Sequence, residues 1–225
     1  MTDTTLIESW AEAVTDASPD LDDDGKRIAI STYRLLAGGS PVTTAQVAEA
    51  AGVPVERVEE TLSSWPLVLR DSEDRIVGFW GIHVDHIEPT HAMTVDGTTV
   101  YGWCALDTLF IPEILDQKVE VRSSDPVDGT EIRVTISPEG LTNLEPTEAV
   151  VSFLLPDEEG FTDDAIARFC HKIYFFASPR SAEEWIGDRS GVYQVPVGEA
   201  FQLAKAINRH RLNAIDQARA PEQTG

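Results

Sequence analysis

The chain has 225 residues, of which 42% are hydrophobic and 25% charged, so it can bury a core as one large domain or two small ones. Its 39 acidic residues outnumber its 17 Lys and Arg, and the resulting net charge of −22 argues against nucleic acid or an anionic membrane as a partner. It contains no run of 18 apolar residues and no basic-then-apolar start, so we expect no transmembrane segment, no secretory signal and a cytoplasmic location.

The N-terminal third is predicted to be mainly helical, because apolar residues recur at three- and four-residue intervals. Thr43 or Thr44 can cap the third helix, and Gly52 can end it. The predicted helices are 6–14, 26–36, 44–51 and 55–65, followed by strands at 67–70 and 75–82. Three short helices followed by a hairpin form a winged-helix pattern, so we predict a winged-helix-like domain over residues 1–80.

The remainder, residues 81–225, changes to strand signals, among them a strong hairpin turn at Asp96-Gly97. The predicted strands are 92–95, 98–103, 119–122, 131–136, 149–155 and 172–176, and the predicted helices are 105–115, 181–186 and 197–212. We therefore predict an α+β protein whose second domain is a mixed β-sheet with flanking helices. The tail at 218–225 is expected to be loose.

The first segment with a chemical signal reads Tyr-Gly-Trp-Cys-Ala-Leu-Asp-Thr-Leu-Phe around Cys104. Cys104 follows a predicted strand and stands where a helix begins, and the unpaired N–H groups there favour a thiolate. Asp107 lies three residues on and would share a helix face with Cys104. A soft metal ligand would then lie beside a proton carrier. A buried cysteine followed by a dipole-favouring aspartate explains the segment equally well.

The other cysteine is Cys170, which precedes an aromatic-rich strand. Two cysteines in a cytoplasmic chain are poor candidates for a disulfide, and their spacing fits no structural zinc site. If the two thiols meet in space, they can hold a soft, thiophilic ion. Without that contact, each is a small buried apolar side chain.

The string around Cys104 resembles the first catalytic motif of the organomercurial (alkylmercury) lyases. The segment from Phe169-Cys170 to Phe175-Phe176 resembles their second motif, and the likeness runs from about residue 25 to about residue 212. This resemblance implies that Cys104 and Cys170 are the family's essential cysteines and that Asp107 is its essential aspartate. His171 stands where some family members carry an extra, dispensable cysteine.

The resemblance implies an enzyme that breaks carbon–mercury bonds by protonolysis, giving a hydrocarbon and Hg²⁺. One thiolate would displace the weak ligand of R–Hg⁺, the second sulfur would coordinate, and Asp107 would carry a thiol proton to the carbon. No cofactor is implied. Low-molecular-weight thiols or a mercuric reductase would remove Hg²⁺ from the sulfurs. Trp103, Phe169 and Phe175 are expected either to enclose the organic group or simply to pack the core.

Two other features of the sequence could indicate a different function, namely DNA binding or a histidine metal site. The fourth predicted helix carries Glu56, Glu59 and Glu60 against one Arg, which is the wrong charge for DNA, and the resemblance implies that the first domain is a structural cover. His83, His86 and His91 suggest a metal site, yet the first two would lie on opposite faces of a strand. A solvated strand edge is the favoured interpretation of these histidines.

A mercury-binding or mercury-sensing protein that uses the same thiols without turnover is the alternative function. Asp107 favours the enzyme, because a protein that only binds mercury needs sulfur but no proton carrier. A lyase acting on another organometal remains a third hypothesis. The chain has only four Lys, and this scarcity together with the acidic charge favours adaptation to high intracellular salt.

Overall fold

A computed structural model describes residues 4–156, 161–162 and 164–212, and the predicted loose tail at 218–225 lies outside them. None of the helices within those ranges is long and apolar enough to cross a bilayer. The helices are α1 (Thr4–Asp16), α2 (Asp23–Leu36), α3 (Thr44–Ala51), α4 (Val55–Ser64), α5 (Ala105–Leu115), α6 (Ala165–Arg168), α7 (Pro179–Ile186) and α8 (Val197–Leu212). The strands are β1 (Val68–Arg70), β2 (Ile76–Phe79), β3 (Ile82–His83), β4 (His91–Val95), β5 (Thr98–Gly102), β6 (Val119–Ser124), β7 (Glu131–Ser137), β8 (Gly140–Glu145), β9 (Val150–Leu154), β10 (Phe175–Phe176) and β11 (Val192–Pro196).

Side-chain caps set the start of α3, as predicted, and the start of α2, which begins at Asp23 rather than at the predicted residue 26. Thr43 and Gln46 form a capping box at the start of α3, and Gly52 ends that helix with a φ of 63°. The α2 helix begins after Asp22, whose carboxylate accepts the Gly25 N–H at 2.7 Å. The predicted succession of helices followed by a hairpin is therefore confirmed.

The hairpin of the N-terminal part continues into the main sheet. The strand order of this eight-stranded sheet is β1-β2-β3-β5-β4-β6-β7-β8. The single strand predicted at 75–82 is wrong, because Trp80 (φ 37°) and Gly81 (φ 104°) turn the chain and divide it into β2 and β3. Gly102 pairs with Ile82 across β5 and β3, so residues on either side of position 80 share one sheet.

The central helix is α5, in which every residue except Glu113 is buried. A helix that is apolar on all sides must be enclosed by other elements, and α2, α8 and the main sheet enclose it. The Asn208 amide on α8 donates to the Phe110 carbonyl at 2.9 Å and to a Glu113 carboxylate oxygen at 2.8 Å. These bonds fix α8 against the helix that begins at Cys104.

The second sheet has the strand order β10-β9-β11. The segment that carries Cys170 leads directly into its strand β10. The strand predicted at 172–176 is only partly correct, because residues 170–172 form a 3₁₀ turn. Ser152 explains the difference: its hydroxyl donates to the Lys172 carbonyl at 2.8 Å and accepts the Tyr174 N–H at 2.9 Å, replacing ladder bonds. The α+β class is confirmed, and the strand pairings within the described ranges are all antiparallel.

Candidate active site

Cys104 is the N-cap residue of α5, in extended backbone conformation between β5 and the first helical turn. Its neighbours hold it there through two long-range hydrogen bonds. The Trp103 N–H donates to the Gly81 carbonyl at 3.1 Å, and the Ala105 N–H donates to the Ile173 carbonyl at 3.0 Å. The second bond joins the start of α5 directly to the segment just after Cys170.

The two thiols and the carboxylate meet in space. The Sγ atoms of Cys104 and Cys170 and a carboxylate oxygen of Asp107 all lie within 4.8 Å of one another. The three residues are buried, with relative exposures of 1%, 7% and 7% for Cys104, Cys170 and Asp107. The contact between the cysteines, on which the sequence-based interpretation depended, is therefore present. The chemical roles of the three residues stay a prediction.

Burial raises the pKa of the Cys104 thiol well above its ordinary value. Contact with the Cys170 sulfur and the charge of Asp107 raise the pKa further, while the Asp107 N–H lowers it. The expected thiolate at the helix start is thus wrong for the free protein. Loss of solvation outweighs the helix N-terminus, and the thiol needs a base before it can attack.

Asp107 is suited to be that base. Its carboxylate accepts the Cys104 N–H at 2.8 Å, which orients it toward the thiol at the start of the helix. Burial raises the pKa of Asp107 to about 7, against the lowering effects of the Cys104 thiol, the N–H groups of Cys104 and Trp103, and the charge of Arg211. A carboxyl group with this pKa can both accept and donate a proton near neutral pH.

A largely apolar cavity of about 60 Å³ opens beside Asp107 and Cys170. Trp103 and Phe169 line this cavity, as the sequence predicts. Phe175 does not line it; the buried Phe175 ring lies against His91, with ring centroids 6.0 Å apart. The cavity is a chamber that can hold a small apolar group beside the Cys170 sulfur and the Asp107 carboxyl group.

Trp80, Gly81 and Arg211 are among the residues lining this cavity that sequence reasoning missed. A Cβ atom on Gly81 would lie 2.4 Å from Oδ1 of Asp107, so only glycine leaves room for the carboxylate. Arg211 lies over the Trp80 ring at 4.7 Å from its centroid. The aromatic-glycine pair at a strand end was a weak signal for the first two, and nothing local marks Arg211.

The three histidines do not converge, as predicted, but the solvated-edge interpretation is wrong for His91. His91 is 1% exposed, and its Nδ1 lies 2.9 Å from the Ser123 hydroxyl. Burial lowers the pKa of His91 to about 3. His91 is therefore a neutral core residue, whereas His86 is exposed.

The acidic surface predicted for α4, which would be the recognition helix of a DNA-binding winged helix, is present in the structure. Arg57 on α4 is paired with Asp22 at 2.8 Å and with Glu60 at 3.6 Å, which offsets its positive charge. Glu56 and Glu59 remain exposed on the same helix. The helix surface gives no support to phosphate binding, and the absence of a nucleic acid partner stays a prediction.

Two family models match the chain. Residues 86–209 match a model described as alkylmercury lyase, and residues 12–80 match one described as the helix-turn-helix domain of alkylmercury lyase. The two matches lie on either side of the predicted domain boundary at residue 80. The division into a structural cover and a catalytic domain stays a prediction.

Individual known proteins are similar to this chain as well. An alkylmercury lyase of Bacillus cereus is 37% identical over 174 residues, 77% of each chain. One of Pseudomonas putida is 35% identical over 183 residues, 81% of this chain and 83% of the relative. A crystal structure of the mercury-bound form of MerB2 shares the fold, with a TM-score of 0.70 and 20% identity over 92% of this chain and 99% of that one. The chain therefore belongs to the alkylmercury lyase family of enzymes.

Proposed function

We propose that this enzyme cleaves carbon–mercury bonds of organomercurials by protonolysis, with Cys104, Cys170 and Asp107 as its catalytic residues. The observation that carries the proposal is the meeting of two sulfurs and one carboxylate oxygen within 4.8 Å of one another. Thiolates are the ligands that a soft metal ion prefers, and a carboxylate at this distance can move a proton between sulfur and carbon.

The reaction begins with a thiol that is protonated in the free protein, because burial raises the pKa of Cys104. In the first substitution, one cysteine sulfur displaces the ligand L from R–Hg–L, and the proton of that thiol leaves with L. Asp107 then takes the proton of the other thiol, whose sulfur becomes the second ligand of mercury. Mercury now carries one carbon and two sulfurs.

Two thiolates donate electron density to mercury and make the bound carbon more basic. Asp107 returns its proton to that carbon, the carbon–mercury bond breaks, and R–H leaves. The sum is R–Hg–L plus two thiols giving R–H, H–L and mercury bound to two sulfurs. Proton transfer by a positioned acid of this kind contributes about 10²- to 10⁴-fold in rate.

The apolar cavity supports an organic group as the part of the substrate that is enclosed. Trp80, Trp103 and Phe169 border it, and they keep the reacting carbon apart from water. We expect Hg²⁺ to remain on the two sulfurs until low-molecular-weight thiols exchange with them or a mercuric reductase accepts it. We expect no organic cofactor.

The test is direct measurement of hydrocarbon release. Purified protein is incubated with methylmercury or phenylmercury and excess thiol, at low and high salt, and methane or benzene is measured by gas chromatography. We expect release by the wild type and loss of most of it in Cys104→Ser, Cys170→Ser and Asp107→Ala. Circular dichroism of each variant establishes that it is folded.

Two outcomes would contradict the proposal. Release that survives loss of either cysteine would exclude the two-sulfur mechanism. Stoichiometric, tight retention of mercury by the wild type without any hydrocarbon would instead identify a mercury-binding protein.

A further inference from the structure

Arg211 is the one cationic side chain among the described residues that line the cavity, in a chain whose net charge is −22. It lies on the last turn of α8 and borders the same space as Asp107 and Cys170. Its guanidinium and the Asp107 carboxylate are close enough to interact electrostatically. A positive charge therefore borders the chamber beside the Cys170 sulfur and the Asp107 carboxyl group.

The aromatic wall fixes the position of this charge. The guanidinium carbon of Arg211 is 4.7 Å from the centroid of the Trp80 ring, within the range of a cation–π contact. Trp80 itself is held by its Nε1, which donates to the Pro66 carbonyl at 2.9 Å, and by its carbonyl, which accepts the Tyr33 hydroxyl at 2.7 Å. Arg211 thus rests on a ring that has little freedom to move.

Within the described residues, Arg211 forms no ion pair shorter than 4.0 Å, and its buried Nε has no hydrogen-bond partner there. Its neighbour Arg209 differs, because the Arg209 guanidinium contacts a Glu8 carboxylate at 2.6 Å on the outer surface. Arg211 is partly buried and has no opposite charge at ion-pair distance among the described residues, so its charge is available to a negative group that forms in the cavity.

The proposed reaction moves a negative charge from Asp107, which gains a proton, to mercury. R–Hg⁺ carries one positive charge and two thiolates carry two negative charges, so mercury bound to carbon and two sulfurs is an anion with one net negative charge. The proton that balances this charge is then on Asp107. We propose that Arg211 stabilises this transient anion electrostatically and so accelerates the chemical step. This inference rests on the proposed protonolysis.

Arg211 acts through the electric field in the chamber, so it is a charge-stabilising residue rather than a proton carrier or a mercury ligand. A fixed charge in a poorly solvated site acts more strongly than the same charge in water. The anion forms after the substrate has bound. Loss of the charge is therefore expected to lower kcat and to leave KM for methylmercury nearly unchanged.

The experiment compares Arg211→Gln with Arg211→Lys in the hydrocarbon assay. Both variants lose the planar contact with Trp80, but only the glutamine variant loses the charge. We expect kcat to fall about 10- to 100-fold in Arg211→Gln, less than the ~10²- to 10³-fold typical of removing a direct transition-state donor. Arg211→Lys is expected to stay within about threefold of the wild type.

Arg209→Gln is the matched control, because it removes a charge from the same helix two residues away, outside the cavity lining. Its kcat is expected to equal that of the wild type. Equal losses in both Arg211 variants would mean that Arg211 only packs against Trp80, and an active Arg211→Gln protein would overturn the inference outright. Either result leaves the proposed function standing. A wild-type protein that releases no hydrocarbon would contradict both the proposed function and the inference about Arg211.

Discussion

Two buried polar clusters among the described residues differ in how their hydrogen-bonding groups are satisfied. In the first, Asp125 accepts from the Ala177 N–H, the Ser181 hydroxyl and the Val127 N–H at 2.8 to 2.9 Å, and His91 lies beside Ser123. In the second, Asp107 accepts a backbone bond at 2.8 Å and faces two thiols and a cavity. The first cluster joins β6 to α7, and the second leaves its acid groups available for chemistry.

This difference indicates which of the two buried carboxyl groups is expected to have a chemical function. Asp125 and Asp107 are almost equally inaccessible, with exposures of 2% and 7%. Burial alone therefore does not separate them. The separation comes from partners: a carboxylate whose oxygens are occupied by N–H and O–H donors is structural, whereas one that borders empty space beside reactive groups can exchange a proton.

The sharpest test of this comparison exchanges each aspartate for asparagine. Asp107→Asn is expected to lose about 10²- to 10⁴-fold in hydrocarbon release and to unfold no more easily than the wild type. Asp125→Asn is expected to keep its activity and to lose about 1–3 kcal/mol of stability, because a donor at that site loses its acceptor. Rate assays and urea unfolding measure the two effects, and an inactive but fully stable Asp125→Asn protein would contradict the distinction.

The two clusters are also expected to change the stability of the protein in opposite directions as pH rises. The folded state raises the pKa of Asp107 to about 7 from 3.8, so Asp107 makes stability fall as pH rises from about 4 to about 7. It lowers the pKa of His91 to about 3 from 6.5, so His91 makes stability rise from about pH 3 to about 6.5. Each slope reaches about 1.4 kcal/mol per pH unit, and the two oppose each other between pH 4 and 6.5.

Single variants reveal the two slopes. Relative to the wild type, Asp107→Asn is expected to become more stable as pH rises through the Asp107 window. Relative to the wild type, His91→Asn is expected to become less stable as pH rises through the His91 window. Chemical unfolding at half-unit pH steps gives both differences, and parallel curves for all three proteins would refute the assignment of the shifted groups.

Gly81 offers a geometric test of the second cluster. Its φ is 104°, and an alanine Cβ there would collide with Asp107 at 2.4 Å from Oδ1. We expect Gly81→Ala to lose about 10- to 100-fold in hydrocarbon release, because small displacements of a reacting group cost that much. Gly97→Ala is the control: its φ is 81° but no atom lies within 4 Å, so it tests backbone strain alone. Comparable activity losses in both variants would attribute the effect to strain.

The smallest expected effect concerns the size of the organic group. The cavity measures about 60 Å³, whereas a cavity of about 150 Å³ holds benzene. Phe110 lines the cavity, so Phe110→Leu enlarges it and makes more room for a phenyl group. We expect this variant to raise the phenylmercury-to-methylmercury ratio of kcat/KM by about threefold to tenfold. Phe175→Leu changes a buried ring outside the wall and is expected to leave the ratio unchanged. Comparing this ratio between each variant and the wild type cancels the intrinsic reactivities of the two substrates.

Local features of the sequence predicted local structure well. The start of α3 at Thr43 and its end at Gly52 follow from capping, and the Asp96-Gly97 turn has the positive φ values, 46° and 81°, that its dipeptide predicts. The strand β8 was missed because it is an exposed strand at one end of the sheet, and its residues show no alternation of buried and exposed side chains.

The candidate site could be predicted only in part, since its key contact is non-local. The sequence identifies Cys104, Asp107 and Cys170 as candidates, but the bond from the Ala105 N–H to the Ile173 carbonyl, which brings the thiols together, has no local signature. Arg211 and Gly81 reach the cavity through packing of distant elements. The raised pKa of Cys104 likewise depends on burial that a helix start does not reveal.

The cavity wall draws on both parts of the chain. Val14, Pro66 and Trp80 come from the helix-turn-helix region, while Asp107 and Cys170 belong to the C-terminal region matched by the lyase model. In the proposed reaction the catalytic residues come from the C-terminal region alone, whereas both regions share the wall around the organic group. Substitutions in the helical module therefore alter only one part of that wall, and Trp103, Phe110 and Phe169 keep the other part. A chimera that takes its first 80 residues from a relative is expected to shift only partly toward that relative's preference among organic groups.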